Sequence, residues 1–151
     1  MYLLYTERIA MFTYNSGREV IKKYFDTYLE PHMVIYDIGC GKKPYAEYLK
    51  GKVKSHVGID IPDGFYGQQY IDLEGDAYNV PVETGTADAA MSCHVIEHLE
   101  TPETSIEELS RILKEGGLLF MTYPFLYPIH AAPHDYNRLT EYKIEKMLSD
   151  N

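Results

Sequence analysis

The chain has 151 residues, with 14 Lys and Arg against 23 Asp and Glu, a formal charge of −9. That length suits one core, and 45% apolar with 25% charged residues is a globular balance rather than a disordered one. The acidic surplus argues against salt-driven binding to nucleic acid or an anionic membrane, and two cysteines make no disulfide framework. The longest apolar stretch, Leu118 to Ile129, is cut by Pro124 and Pro128 and is too short to span a bilayer. The start, Met1 to Glu7, lacks the basic and apolar run of a signal peptide, so a cytoplasmic setting is expected. Fifteen tyrosines and no tryptophan are unusual, and Tyr2, Tyr5, Tyr14, Tyr24 and Tyr28 crowd the front.

In chain order, Gly17 to Leu29 reads as an amphipathic helix, with Val20, Ile21, Tyr24 and Tyr28 at helical spacing and Pro31 beyond its end. Val34 to Ile38 is a short β-rich run, followed at once by Gly39-Cys40-Gly41. Pro44 suits the first turn of a helix through Tyr45 to Leu49. Val57 to Ile59 is a second strand ending in Asp60, Tyr70 to Asp72 a short third, and Asp88 to Ser92 a fourth. Thr101 is expected to cap a helix with Pro102 at its first position. Ile106, Leu109, Ile112 and Leu113 form its apolar face, Lys114 its last turn and Gly116 its stop. Leu118 to Tyr123 is a fifth, buried strand; Pro124 to Asn137 is a long loop; Glu141 to Leu148 is a final helix. Alternating helices and strands predict an α/β fold with a parallel sheet.

The segment Asp37-Ile38-Gly39-Cys40-Gly41 lies where a buried strand turns into a helix. Glycines there allow positive φ and close approach of a ligand to the backbone, and a helix N-terminus beyond them presents free N–H groups. Asp60, at the end of the next strand, is placed to accept both hydroxyl protons of a ribose. A tight turn with an acidic loop residue would look the same locally, but the Asp60 offset favours nucleoside binding. The dinucleotide fingerprint wants a third glycine where this chain has Pro44, which disfavours a nicotinamide cofactor. Asp37 suits a cationic ligand tail better than a pyrophosphate.

Several pieces in order resemble the class I S-adenosylmethionine-dependent methyltransferases over about Val34 to Thr140. They are Val34 to Tyr45, Val57 to Asp60, Glu74-Gly75-Asp76-Ala77 with Val80-Pro81, Ser92 to Leu99, and Arg111 to Gly117. The resemblance implies a Rossmann-like parallel sheet in the order 3-2-1-4-5 with helices on both faces. It implies that Gly39, Cys40 and Gly41 line the methionine part of S-adenosylmethionine, with Asp37 near the ammonium. Asp60 would bind the ribose diol, with Ile61 beside it. Asp76 and the Ala77 amide would read the adenine, and Cys93 and His94 would lie against the methionine end. Lys42-Lys43-Pro44 departs from the commonest pattern, which expects another glycine in the loop, and resembles one branch of these enzymes. Cys40 and Cys93 follow neighbouring strands and are expected to be small packing residues rather than a redox pair.

The histidines carry a rival. His94-Val95-Ile96-Glu97-His98 matches the inverted zinc-protease pattern, in which two histidines at i and i+4 on a helix grip a metal. The same stretch resembles the Val-Ile-Glu-His segment after the fourth strand of the methyltransferases, and no metal is expected. His98 is expected to bond locally while Val95, Ile96 and Leu99 pack. In the loop after the fifth strand, His130 or His134 could act as general base and Arg138 could clamp an anionic acceptor. In the alternative, Asp135 pairs with Arg138 and the loop satisfies itself. That loop resembles a methyltransferase branch often found near cell-surface glycan synthesis.

The expectation is one domain over residues 1–151, with an N-terminal helical segment at 1–30, a cofactor core at 33–123 and an acceptor-side loop and helix at 124–151. The activity expected is methyl transfer from S-adenosylmethionine to a small-molecule or glycan acceptor. The alternatives are a nucleoside-binding module without turnover and, behind it, a zinc hydrolase using His94, Glu97 and His98. The family usually adds strands 6 and 7, which this sequence does not show. Leu118 to Tyr123 is therefore expected to be an exposed apolar edge, covered by a homodimer partner or by the Tyr-rich start, itself read as a helix and lid.

Overall fold

Apolar runs with a period of two become the strands of one parallel sheet in the computed structural model, which describes residues 9–13, 17–62, 64 and 66–150. The elements are β1 (Ile9–Thr13), α1 (Gly17–Tyr28), β2 (Val34–Ile38), α2 (Ala46–Leu49), β3 (Ser55–Asp60) and β4 (Leu73–Glu74). They continue with β5 (Ala87–Cys93), α3 (Pro102–Ile112), β6 (Leu113–Tyr123) and α4 (Glu141–Ser149). Short 3-10 turns occupy Gln68–Tyr70 and Ile96–His98. The strand order is β1-β6-β5-β2-β3-β4, and every neighbouring pair is parallel. From β4 to β6 this is the expected order 3-2-1-4-5.

Alternation along β6 divides the core in two. Leu119, Met121 and Tyr123 pack with Ile106, Leu109 and Ile112 of α3 and Ile144 and Met147 of α4. Phe120, from the opposite face, packs with Ile21 and Phe25 of α1 and Leu49 of α2. Phe25 meets Phe120 edge-on, with ring centroids 5.0 Å apart. Helices therefore cover both faces, which confines the open ground to the ends of the strands. Both glycines of the loop and the loop after β6 leave the same end of the sheet, where parallel α/β folds bind ligands.

The largest departure from expectation is at the front of the chain. Ile9–Thr13 is a strand, not part of a helix or lid, and pairs with β6 from Ile9↔Leu119 to Thr13↔Tyr123. The fifth strand of the core is thus an interior strand, and its backbone ladder is completed within the chain. Tyr2, Tyr5 and Tyr14 lie outside the described residues. Tyr24 and Tyr28 stack along α1, 6.0 Å apart.

Two further boundaries move. The helix expected to reach Lys114 stops at Ile112, and β6 begins at Leu113. Leu113 faces Ala87 while Leu118 faces Ala89, so the segment between bulges out of register, with Gly116 at φ 77°. Lys114 is drawn out of helix by its ion pair to Asp88, 2.6 Å. The third strand lies at Leu73–Glu74 rather than Tyr70–Asp72. There the Asp72 carboxylate accepts the Gly58 amide at 2.6 Å and the Lys43 ammonium at 2.6 Å, taking a ladder position with its side chain. Among the described residues, no helix is long and apolar enough to cross a membrane.

Candidate active site

The glycine loop is fixed by the end of β3. Gly39 and Cys40 both donate their amides to Ile59 O, at 2.8 and 3.1 Å. Gly39 and Gly41 hold φ of 71° and 53°, where a side chain is strained. A Cβ on Gly39 would stand 2.4 Å from Val95 Cγ2, so the backbone there must be bare. Asp60 Oδ2 accepts the Gly41 amide at 2.8 Å and Oδ1 accepts the Ile61 amide at 2.8 Å. The carboxylate thus ties loop and strand end together. Lys43 reaches across to His56 O (3.0 Å) and Asp72 (2.6 Å), which accounts for a lysine where the usual pattern has another glycine. The helix after the loop, α2, is a single turn, so its dipole contributes little and the cradle is made by bare backbone.

Asp37 does not stand at the surface of this cradle. It is 2% exposed and lies 2.9 Å from His56 Nε2 beneath the loop. Burial pushes its carboxyl above the ordinary range, and the His56 contact works against that rise. Asp37 therefore braces the loop from below. Two residues the sequence reading missed complete this brace. His56 is one. Gly58 is the other: a Cβ there would meet Cys40 Sγ at 2.8 Å and Tyr70 O at 3.0 Å.

Above the loop opens a cleft of about 510 Å³, within the range of small-molecule sites. Gly39, Cys40 and Gly41 line it together with Cys93, His94, His98 and His130. Asp60 adjoins through its bond to Gly41. Ile61, Asp76 and Ala77 lie beyond the cleft lining. Asp76 Oδ1 accepts the Tyr78 amide at 2.7 Å in a tight turn, and Ala77 is buried. Burial pushes both thiols up to about 12, which fits packing rather than redox chemistry.

His94 follows β5 directly with φ 57°, its amide held by Thr122 O at 2.8 Å. The next residues form a 3-10 turn, not a helix, so His94 and His98 share no helical face. The helical zinc grip of the protease reading is therefore not built. Instead His98 turns toward the loop after β6, placing Nδ1 2.5 Å from His134 O. Its ring packs edge-on against His130, centroids 4.9 Å apart.

That loop is held by its own polar contacts. Arg138 forks onto Asp135 at 2.5 and 2.7 Å and also bonds Asn137 O. This fork holds the Asp135 carboxyl well below the usual carboxylate range. Glu97 O accepts the amides of Tyr136 (2.8 Å) and Asn137 (3.1 Å), and the Asn137 side chain reaches Leu99 O at 2.5 Å. Of the expected catalytic trio, only His130 lines the cleft. His134 lies on the outer side with Nδ1 3.1 Å from Tyr136 Oη, and the Arg138 guanidinium is engaged by the loop itself. The Glu97 carboxylate, expected only as a member of the zinc-hydrolase alternative, lies beneath the three histidines and is 1% exposed.

A bare glycine floor, a cleft of the right size and a carboxylate at the next strand end suit the methionine and ribose of S-adenosylmethionine. A methyltransferase domain family matches residues 36–121. The tRNA (carboxymethyluridine(34)-5-O)-methyltransferase ALKBH8 of Mus musculus is 37% identical over 92 residues, 56% of this chain and 13% of that protein. Ajmaline N-methyltransferase of Rauvolfia serpentina is 30% identical over 99 residues, 56% of this chain and 34% of that protein. The chain thus spans only a minor part of the length of these curated relatives. Among solved structures, a SAM-dependent methyltransferase from Archaeoglobus fulgidus superposes with a TM-score of 0.70 at 19% identity, covering 88% of this chain and 67% of that one. One from Aquifex aeolicus gives 0.66 at 22%, covering 87% and 77%. The chain belongs to the methyltransferase-domain family, whose members of this fold take S-adenosylmethionine as methyl donor.

Proposed function

We propose that this chain transfers a methyl group from S-adenosylmethionine to a small-molecule or glycan acceptor that enters beside the loop after β6. The observation that supports this most is the cleft itself, lined by Gly39 to Gly41 and by His94, His98 and His130. Gly39 and Gly41 leave room for the methionine end, Asp60 faces the ribose, and Asp76 and Ala77 serve the adenine. The bound cofactor supplies an electrophilic methyl on a sulfonium. The work of the protein is then to align the acceptor and, where that is a hydroxyl, to remove its proton. His130 is the base candidate because its ring borders the cleft. His134 and Arg138 position it: His134 O holds His98, which packs on His130, and Arg138 holds Asp135, which accepts the His130 amide at 2.9 Å.

The relatives named above act on a tRNA nucleoside oxygen and on an alkaloid nitrogen, so kinship does not choose the acceptor. The net charge of −9 favours a small acceptor over a polyanion. The test is calorimetry with S-adenosylmethionine and S-adenosylhomocysteine, followed by turnover assays on hydroxylated glycans, small acids, amines and tRNA. Saturable binding of both nucleosides with methylation of a small acceptor is expected. Binding without any turnover would favour a nucleoside-binding module instead, and preferential methylation of tRNA would overturn the choice of acceptor.

A further inference from the structure

We infer that Glu97, His98 and His130 form a binding site for a divalent first-row transition ion at the wall of the cleft. One donor atom from each lies within 4.8 Å of the other two. His98 Nε2 and His130 Nε2 each stand 3.8 Å from the same Glu97 Oε1. Two ligands at about 2.1 Å from one tetrahedral ion lie about 3.4 Å apart, so each of the two carboxylate–imidazole edges needs to shorten by about 0.4 Å.

Two features, and a brace behind one of them, point to a cation. The Glu97 side chain is 1% exposed, yet neither carboxylate oxygen has a hydrogen-bond partner among the described residues. A buried carboxylate without donors is costly unless a cation meets it. Both imidazoles are also turned to present Nε2 inward. His98 Nδ1 is engaged by His134 O at 2.5 Å, and His130 Nδ1 lies 3.4 Å from Asp135 Oδ2. His98 has the arrangement of a metal-binding histidine, its second nitrogen set against a carbonyl, while His130 Nδ1 faces the Asp135 carboxylate without a hydrogen bond. Finally, Arg138 holds Asp135 at 2.5 Å and so fixes that outer contact.

Two nitrogens and one oxygen suit zinc, cobalt or iron(II) rather than calcium or magnesium, which take oxygen sets. Three protein ligands leave a position open. Since His98 and His130 also line the cleft, the site can open toward it. On the methyl-transfer reading, and only on it, a bound ion would lower the pKa of an acceptor hydroxyl at that position, the proton would pass to solvent, and His130 would serve as ligand in place of base. Ion binding itself does not depend on that reading. This site differs from the protease pattern in both geometry and membership, because His130 comes from the loop after β6.

The test uses the full chain without a histidine tag, stripped with chelator and titrated with Co2+ while visible absorption is followed, then displaced with Zn2+. One equivalent of Co2+ with a four- or five-coordinate spectrum is expected, reversed by Zn2+. Glu97→Gln and His98→Ala should each weaken Co2+ binding by at least about tenfold. His130→Asn, on the exposed loop, gives the same readout should Glu97→Gln fail to fold. Absence of a saturable spectrum, or equal affinity in His130→Asn, would overturn the site. S-adenosylmethionine affinity measured on the same samples separates the two readings: lost nucleoside binding with intact Co2+ binding overturns only the methyl-transfer reading, and the converse only the metal site.

Discussion

The two walls of the cleft are built by different means. The donor wall is backbone held by backbone: Gly39 and Cys40 hang from Ile59 O, and Gly41 from Asp60. The acceptor wall is side chain held by side chain, with His98, His130, Asp135 and Arg138 propping one another across a loop without helix or strand. Bare backbone allows little variation, because any side chain at Gly39 strikes Val95. A loop pinned by a few polar contacts can change its residues and keep its anchors. A family that shares one donor and differs in acceptors is expected to divide its site in this way.

The sharpest way to break this division is Gly39→Val. The added Cβ meets Val95 Cγ2 at 2.4 Å, and a β-branched residue at φ 71° is strained by about 1–3 kcal/mol. Calorimetry should show S-adenosylmethionine affinity down by more than about 100-fold, with a lower melting temperature. Next is Asp60→Ala, which removes the acceptor of the Gly41 amide and the acceptor proposed for the ribose. The expected loss is roughly 10–100-fold in donor affinity, and an unchanged Kd would sink the ribose assignment. Arg138→Leu should act on the other wall alone. It frees Asp135, and with it His130. Steady-state assays should then show acceptor kcat/KM falling by several-fold while the donor Kd stays within about twofold. A donor Kd that fell as far would show that the two walls are one unit.

The smallest effect concerns pH. The Arg138 fork lowers the Asp135 pKa in the folded chain. A carboxyl lowered on folding stabilises above its unfolded value, near 3.8, and loses that contribution as pH falls through the folded value. The clamp is therefore complete from pH 8 to pH 5. Hydrogen exchange at the Tyr136 and Asn137 amides, corrected for intrinsic rate, should be flat over that range. Protection that falls between pH 8 and pH 5 would show that a group other than Asp135 holds the loop.

The strands and helices of the core were legible wherever one segment carried its own pattern. Val34–Ile38 and the helix after Thr140 fall within a residue of expectation because β-branched runs and an N-cap are local signals. Thr140 Oγ1 accepts the Lys143 amide at 3.2 Å, whereas Thr101, the cap expected for α3, makes no side-chain cap bond. Ile9–Thr13 was not legible as a strand, since only its distant partner β6 makes it one. The end of α3 was missed because the Lys114–Asp88 pair and the Gly116 bulge override the helix-stop signal. In the site, the glycine loop and Asp60 could be read from spacing. His56, Gly58 and the place of Glu97 could not, because each acquires its role from a neighbour on another element. Arg138 with Asp135 was visible as a pairing at i and i+3, the bland reading that the contacts bear out.

The pairing of Ile9 with Leu119 also has a consequence during synthesis. β1 leaves the ribosome about 110 residues before its partner β6, the separation of Ile9 from Leu119. At roughly 5–20 residues per second, β1 waits on the order of ten seconds with no strand to join. Until then the nascent sheet ends in an open ladder on β6 and a loose strand able to pair elsewhere. The same parallel pairing that makes β6 an interior strand moves the sheet edge to β1, and it can form only after both distant strands are made.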